Sequence, residues 1–365
     1  MRILYGVVGE GMGHATRSAT VLRHLLAAGH EIEIVVSGRA HAFLQRRFPS
    51  VKVHEIAGLS MIYRDNRVRR GRTFWDFLKK VPAFTENFET FTKIAESFRP
   101  QLVVSDFESF AYYYAKRYDL PVISIDNMQI INRCEHDQLE IPDALRSSFR
   151  MAKTVVKTKL PRCDHYLITT FFFPPIRKKR TSLHPPILRD EILAAKPTVR
   201  DHVLVYQTSD SFSALLPTLG RLPGRFLVYG LLKGKPGEVI ADEVRGNVTL
   251  KGFSEQGFVD DLASARAVLA GGGFSLMGEA VQLAKPMLSV PLEGQFEQTL
   301  NALYLEKLGW GEYHTKLDED RIAAFLYKAP RYAENLAAYP HRDDHNRQLL
   351  AKLDEVMAAA STDHE

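Results

Sequence analysis

Short apolar runs alternate with amphipathic segments through the first half of the chain. The runs are rich in β-branched residues, and the segments between them carry apolar residues at helical spacing. We predict strands over residues 3–8, 31–36, 51–56, 102–105, 122–125 and 166–170, and helices over residues 16–28, 40–47, 85–98 and 110–118. Strands and helices that alternate at this spacing indicate a parallel sheet with helical crossovers.

The same alternation restarts after a stretch that contains Pro185, Pro186 and Pro197. Here we predict strands over residues 203–207, 226–229, 248–250, 268–270, 287–290 and 312–314, and helices over residues 212–219, 257–264, 275–283, 296–308, 319–326 and 346–359. The predicted units are an N-terminal domain (1–180), a linker (181–200), a C-terminal domain (201–340) and a terminal helix (341–365) that packs back toward the first domain. The expected fold class is α/β, with two Rossmann-like, doubly wound parallel-sheet domains facing across a ligand cleft.

Composition favours a cytoplasmic globular protein. Of 365 residues, 45% are hydrophobic and 25% are charged, which is ordinary for folded domains. No apolar run approaches the roughly 20 residues of a membrane-spanning helix, and the N-terminus lacks the pattern of a signal peptide. The two cysteines cannot form a disulfide framework or a zinc site.

The net charge of +5 is mild, but the basic residues cluster beside aromatic ones. One cluster runs from residue 63 to residue 77, and the other from residue 171 to residue 180. We favour contact with an anionic membrane surface, because cations meet headgroups while rings enter the interface. The candidates for this contact are Arg69, Arg70, Trp75, Phe172, Lys178 and Lys179. A solvated loop beside core aromatics is an open alternative, and stacking on RNA is the least favoured one.

A glycine loop, Gly9-Glu10-Gly11-Met12-Gly13-His14, follows the first predicted strand. Glycines let the backbone approach a ligand, and a helix N-terminus favours an anion. A dinucleotide fingerprint fits poorly, because the third glycine comes one position early and the second strand is not followed by an acid. A tight β–α turn is the alternative. The residues expected on the acceptor side of the cleft are Gly11, Gly13, Asp126 and Asn127.

His14 and Asp106 are candidates for a catalytic pair. Asp106 follows another strand of the same predicted sheet, so both residues are expected at its carboxyl edge. A histidine base needs a partner that fixes its tautomer, and a carboxylate serves that purpose. The alternatives are a capping or ligand-positioning role for His14 and a helix N-cap role for Asp106.

A second glycine loop, Gly271-Gly272-Gly273, joins a predicted strand to a predicted helix that starts at Ser275. Free N–H groups and the helix dipole at that place can hold a diphosphate. Glu279 lies one turn into the helix, where it is expected to bind ribose hydroxyls. The next helix opens with Glu297 and Gln298, which are expected to bind sugar hydroxyls. Turn and cap chemistry alone is the alternative.

The pattern of glycines, Ser275, Glu279 and Glu297-Gln298 resembles the donor site of GT-B nucleotide-sugar glycosyltransferases. Across most of the chain the sequence is similar to the bacterial N-acetylglucosaminyltransferase that makes lipid II and to uncharacterised bacterial and archaeal glycosyltransferases. The resemblance implies a UDP-linked donor. It further implies roles in donor binding for Thr208, Ser209, Gly272, Gly273, Phe274 and Phe253. It also implies that His14 is the catalytic base and that Asp106 is its carboxylate partner. The pair Glu297-Gln298 departs from the Asp-Gln or Gln-Gln of other members.

Two acidic or histidine-rich segments have compositions that could suit a metal. The acidic residues 318–320 open a predicted helix, where their charge favours interaction with the helix dipole over metal binding. Residues 341–345 are expected far from the cleft. We therefore expect neither a metal nor a cofactor, the nucleotide-sugar being a co-substrate.

The predicted function is an inverting, metal-independent glycosyltransferase acting on a hydroxyl acceptor, a lipid or cell-envelope precursor. One alternative is a non-hydrolysing UDP-sugar 2-epimerase, for which carboxylates are available at Asp106, Glu108, Asp126 and Glu135. The other is a catalytically silent GT-B protein that binds a partner or lipid. Nucleic acid is not an expected partner.

Overall fold

The computed structural model describes residues 1–9, 11–56, 63–64, 67–68, 89–90, 92–94, 96–207, 215–232, 240–252 and 254–362. Its strands form two seven-stranded sheets and one two-stranded ribbon. Each large sheet belongs to one α/β domain, which confirms the expected fold class.

The first sheet has the strand order β3-β2-β1-β6-β7-β8-β9, and its strand pairs are parallel. Strands β6 and β7 are buried along their whole length, as expected for a parallel sheet covered on both faces. The strands of this half, including the ribbon β4–β5, are β1 Arg2–Val7, β2 Glu31–Val36, β3 Lys52–Glu55, β4 Tyr63–Arg64, β5 Arg67–Val68, β6 Leu102–Asp106, β7 Val122–Asp126, β8 His165–Thr169 and β9 Thr181–His184.

The helices of this half are α1 Met12–Ala27, α2 Arg39–Arg47, α3 Ser109–Arg117, α4 Ile130–Arg133 and α5 Arg146–Lys159, with a 3-10 turn at Asp143–Leu145. Helix α1 begins four residues earlier than predicted. Its N-cap is Gly11, which has a φ of 97°, a positive value that glycine adopts more readily than other residues. Gly13 and His14 therefore lie in the first helical turn and not in a loop, which corrects the sequence-based expectation. The predicted helix over residues 85–98 lies only partly within the described residues.

The second sheet has the order β12-β13-β11-β10-β14-β15-β16. Its described pairs are parallel except β12–β13. Its strands are β10 His202–Tyr206, β11 Arg225–Tyr229, β12 Glu243–Arg245, β13 Val248–Lys251, β14 Ala267–Ala270, β15 Met287–Ser289 and β16 Gly311–Tyr313. Its helices and those around it are α6 Asp190–Ala194, α7 Leu215–Arg221, α8 Glu255–Ser264, α9 Phe274–Gln282, α10 Phe296–Lys307, α11 Glu319–Ala337 and α12 Arg347–Thr362.

Two connections tie the halves together. Strand β9 pairs with β8, so the first sheet extends beyond residue 180 into the segment predicted as a linker. At the other end, α12 contributes Leu349, Leu353 and Met357 to the hydrophobic cluster of the first domain. The chain thus returns to its first domain after completing the second.

A single hydrophobic cluster spans both domains. In it Phe172 stacks on Tyr304 of α10 with ring centroids 3.9 Å apart, and Phe171 stacks on Phe274 of α9. Phe172 is 2% exposed. This burial corrects its prediction as a membrane-surface residue, because the aromatic run after β8 supplies the contact between domains.

Candidate active site

The first turns of α1 and α9 face each other between the two domains. A Cβ atom added to Gly13 would lie 2.5 Å from the hydroxyl oxygen of Ser275. Since real Cβ atoms do not approach neighbours so closely, glycine is what permits this contact. The two glycine-rich segments identified in the sequence therefore lead to one place, where the first turns of α1 and α9 meet.

His14 and Asp106 are in contact. His14 lies in the first turn of α1, and Asp106 is the last residue of the neighbouring strand β6. The Nδ1 atom of His14 lies 2.7 Å from Oδ1 of Asp106, and Asp106 is 1% exposed. The pair forms because parallel strands β1 and β6 end at the same edge of the sheet.

Arg17 and Ser18 complete this network, and the sequence analysis does not identify either of them. Arg17 donates from Nε to Oδ2 of Asp106 over 2.8 Å and forms a second contact with Oδ1. The hydroxyl of Ser18 donates to the same Oδ2 over 2.9 Å. The sequence signal that could have identified them is their position three and four residues after His14, because such residues share one helix face. The paired guanidinium holds the pKa of Asp106 well below its ordinary value, although burial opposes this.

The surroundings of His14 favour its neutral form. Burial lowers its pKa below the ordinary value, and the positive charge of Arg17 adds to that effect, while Asp106 opposes it. Among the described residues, His14 has polar contacts with Asp106 and with the Arg17 guanidinium 2.7 Å away, and Nδ1 makes them. In the tautomer with the proton on Nδ1, this atom donates to Asp106, the Arg17 guanidinium lies beside it without a hydrogen bond, and Nε2 carries a lone pair. That nitrogen can accept a proton from a hydroxyl.

The N-cap alternative for Asp106 is wrong. Helix α3 is capped by Glu108, whose carboxylate accepts from the backbone N–H groups of Phe110 and Ala111 over 2.8 and 2.7 Å. Asp106 therefore has no capping duty and serves the network around His14. The same finding removes Glu108 from the carboxylates free for acid–base chemistry in the cleft.

Asp126 ends the next strand, β7, Asn127 follows it directly, and both are buried. Asp126 accepts from the Ser124 hydroxyl over 2.6 Å and from the backbone N–H of Gln129 over 2.8 Å. Burial raises its pKa to about 6. Asn127 donates to the Thr169 carbonyl over 3.0 Å. These contacts hold both side chains at the carboxyl edge, where the acceptor side was predicted.

The second glycine loop leads into α9 without a capping side chain. The N-cap is Gly273, and no side-chain hydrogen bond caps the helix. Gly272 has a φ of 109°, and a Cβ atom there would lie 2.9 Å from the Ser289 hydroxyl and the Gln298 carbonyl. The first N–H groups of this nine-residue helix are therefore available to an anion. The side chain of Phe274, by contrast, packs against Phe171 of the first domain.

Glu297 and Gln298 lie against this loop. Asn301 links them to it, because its amide donates to Oε1 of Glu297 over 3.0 Å and to the Gly272 carbonyl over 3.3 Å. Oε1 of Gln298 accepts from the backbone N–H of Leu292 over 3.0 Å. Burial raises the pKa of Glu297 to about 7, opposed by the charge of Arg17 on the other domain. The charge of Arg17 thus acts on the carboxyl group of Glu297 across the domain boundary.

Glu279 has a partner that the sequence analysis does not foresee. Its two carboxylate oxygens accept from Arg189 over 2.8 and 3.0 Å, and the carboxylate is buried. Arg189 immediately precedes α6, in the segment between the domains. Ribose binding by Glu279 remains a prediction, and it requires the nucleotide to share this carboxylate with Arg189 or to displace it.

Several predicted residues lie outside the described residues, namely Thr208, Ser209, Phe253, Arg69, Arg70 and Trp75. Of the other membrane-surface candidates, Lys178 donates to the side chain of Asn132 over 2.6 Å and Lys179 is exposed. Within the described ranges, no helix is long and apolar enough to cross a bilayer. The same residues contain no group of three or more histidine, cysteine or acidic side chains arranged to hold a metal ion.

Comparison with known families gives one match over nearly the whole chain. A family profile described as "Glycosyl transferase family 1" matches residues 1–330. Among curated proteins, an uncharacterized glycosyltransferase of Methanosarcina mazei is 25% identical over 342 residues, and one of Methanosarcina acetivorans is 25% identical over 338 residues. Each match covers 85% of this chain and 85% of the relative.

Solved structures share the architecture. The glycotransferase of kitacinnamycin aligns with a TM-score of 0.64 at 17% identity, over 100% of this chain and 98% of that one. LpCGTa, solved in complex with UDP, aligns with a TM-score of 0.64 at 16% identity, over 98% of this chain and 99% of that one. At these identities the likeness shows the fold.

Proposed function

Because the chain belongs to glycosyl transferase family 1 and has the GT-B fold, we propose that it is an inverting transferase that moves a sugar from a UDP-linked donor to a hydroxyl acceptor. The observation that carries the proposal is the meeting of two first turns. The turn with His14 lies against the turn with Ser275, which supports a cleft shared by the proposed base and the proposed diphosphate site.

The donor binds on the C-terminal domain in this proposal. Its diphosphate lies at the N-terminus of α9, where uncapped N–H groups and the helix dipole favour negative charge. Glu297 and Gln298 hold the sugar, and Glu279 binds the ribose. UDP is proposed as the nucleotide because the donor-site pattern resembles that of UDP-sugar enzymes, and because LpCGTa, which shares the fold, was solved with UDP.

Transfer is a single displacement. Nε2 of His14 takes the proton of the acceptor hydroxyl as its oxygen forms a bond to the anomeric carbon. The bond between that carbon and the diphosphate oxygen breaks at the same time, and the electron pair leaves with the diphosphate. The N–H groups of α9 stabilise the charge that develops on this leaving group. Attack from the face opposite to the leaving group inverts the anomeric centre.

Asp106 orients His14 and stabilises the imidazolium that forms. Arg17 acts as a positioning residue, because it neutralises and fixes Asp106 from the next turn of α1. With Arg17 in place, the carboxylate stays ionised in a buried position. The network therefore keeps one tautomer of His14 ready for the acceptor.

The proposed acceptor is a membrane lipid or lipid-linked envelope precursor that approaches the N-terminal domain. Support comes from the exposed segment after β8, where Phe173 and Ile176 lie beside Arg177 and Lys179. This arrangement pairs apolar side chains with cations, as peripheral membrane contacts do. Co-sedimentation with vesicles tests it: binding is expected with anionic lipid and not with neutral lipid, and failure to bind either would contradict it.

A nucleotide screen followed by a turnover assay tests the activity. UDP and UDP-sugars are expected to raise the melting temperature more than other nucleotides, because ligands of the native state stabilise it. Release of UDP is expected only when acceptor is added, and EDTA is expected to leave the rate unchanged. Conversion of the UDP-sugar without acceptor would indicate the epimerase alternative. Binding of UDP without transfer to any acceptor would indicate a silent protein.

A further inference from the structure

A basic cavity of about 560 Å³ lies on the N-terminal domain, and its lining contains none of the residues proposed above for catalysis or donor binding. Its volume is in the range of small-molecule sites. The walls are the segment after α4, one side of α5 and Arg177 from the segment after β8. The lining residues are Cys134, Glu135, His136, Asp137, Leu139, Ile141, Arg146, Phe149, Arg150, Lys153 and Arg177. Four cations face two carboxylates there, so the cavity carries a net positive charge.

The cations of this cavity are poorly compensated. Arg146 pairs with Asp143 at the rim, over 2.9 Å. In the described part of the chain, Arg150 and Lys153 have no carboxylate within 4.0 Å. Burial lowers the pKa of Lys153, and the charge of Arg177 lowers it further. Cations that repel one another in a partly desolvated cavity are stabilised by an anion with several oxygens.

Side chains of the cavity lining contact α10, the helix that carries Glu297. His136 is buried, and its ring nitrogens contact the Tyr304 hydroxyl over 2.9 Å and the Ile130 carbonyl over 3.0 Å. Phe149 packs against Phe296, with ring centroids 5.1 Å apart. Phe296 immediately precedes the proposed sugar-binding carboxylate at the start of α10. A ligand held on the α5 wall of the cavity therefore lies beside the helix that carries that carboxylate.

We propose that this cavity binds a phosphate or diphosphate ester, and that this group belongs to the acceptor. The second part rests on the function proposed above, whereas binding of the phosphate group itself does not. The guanidinium of Arg150 and the ammonium of Lys153 bind the phosphate oxygens. The apolar lining, which includes Leu139 and Phe149, contacts the organic part of the ester. A lipid-linked phosphate and a soluble phosphate ester share this chemistry.

Calorimetry with inorganic pyrophosphate tests the site in the full chain, with and without saturating UDP to fill the donor site. The variant R150Q/K153Q removes two cavity cations, and K116Q/K157Q removes two exposed cations that do not line the cavity. With UDP present, the wild type and the control are expected to bind pyrophosphate. The affinity of R150Q/K153Q is expected to fall at least tenfold, with unchanged melting temperature and UDP binding. Loss of pyrophosphate binding on adding UDP, or equal affinities in both variants, would overturn the proposal.

A vesicle experiment separates the two sources of the phosphate. Neutral vesicles doped with a polyprenyl phosphate are compared with control vesicles in which phosphatidylserine supplies the same surface charge. Selective loss of polyprenyl phosphate binding in R150Q/K153Q supports a lipid-linked ester. Loss of pyrophosphate binding alone supports a soluble ester. If UDP binds but no phosphate compound responds to R150Q/K153Q, the cavity proposal fails while the transferase proposal stands.

Discussion

Gly13 and Ser275 are the point at which the two domains meet at the site. A Cβ atom on Gly13 would come within 2.5 Å of the Ser275 hydroxyl oxygen and 3.2 Å of its Cβ. One residue belongs to the helix that carries His14, and the other to the helix proposed to hold the donor diphosphate. The acceptor and donor halves of the site are therefore coupled by direct contact.

A double-mutant cycle tests this coupling. Gly13→Ala is expected to raise the KM for the donor, because the added methyl pushes Ser275 away from its place at the start of α9. It should not unfold the protein, since alanine is the better helix former by about 1 kcal/mol. Ser275→Ala removes the clashing oxygen, so the double variant should be less impaired than the two single effects predict by addition. Additive effects would show that the contact is not felt during donor binding.

Removal of the base tests the role of His14. His14→Ala is expected to lower kcat by roughly 10²–10⁴-fold, the usual contribution of general base catalysis. Donor affinity should change little, because the proposed donor contacts lie on the other domain. Turnover and UDP titration measure the two effects separately. Near-normal turnover would remove the assignment of His14 as the base.

The pH profile tests Arg17. Since burial and Arg17 lower the pKa of His14, the acidic limb of kcat/KM is expected below about pH 6.5. Arg17→Gln removes a positive charge that disfavours the imidazolium. Asp106, which favours it, remains, while the more distant Lys159 acts as before. The limb should therefore move to higher pH in R17Q and stay near the wild-type position in R17K. A purely structural role of Arg17 would lower activity without moving the limb.

The difference in stability between the wild type and the variant Glu297→Gln should depend on pH. Burial raises the pKa of Glu297 to about 7 in the folded state, so ionisation costs the folded protein more than the unfolded one. The wild type then loses stability between about pH 4.5 and pH 7, a loss that the variant escapes. Thermal melts should show E297Q gaining on the wild type as the pH rises from about 4.5 to about 8. The amide oxygen introduced by the substitution can still accept from Asn301, and a constant difference across this range would contradict the raised pKa.

The aromatic run after β8 offers a matched pair of substitutions. Phe172→Ala is expected to lower the free energy of unfolding by about 3–5 kcal/mol, because a buried ring that stacks on Tyr304 is lost. Phe173 is 42% exposed, so Phe173→Ala should cost much less. Urea unfolding compares the two. In vesicle binding the order should reverse, with the effect at Phe173 and not at Phe172.

Local patterns determine much of the fold. The apolar runs that form β2 and β10 are fully buried at nearly every position, and their sequence signal does not depend on distant contacts. Helix α5 is absent from the sequence-based prediction although Phe149, Ala152 and Val156 recur at helical spacing, because its polar residues mask that stripe. Strand β12 is absent from it because its three residues are all exposed. Short or solvated elements carry little periodicity to detect.

The sequence by itself determined the types of chemical group at the site: two glycine-rich segments, and a histidine and an aspartate expected at the carboxyl edge of one sheet. The tertiary structure alone decided their partners. It paired Arg17 with Asp106 and Arg189 with Glu279, and it buried Phe172 between the domains. The physical reason is range. Propensity and periodicity act over a few neighbouring residues, whereas ion pairs and ring stacking join groups that are distant along the chain and are settled only when the domains pack.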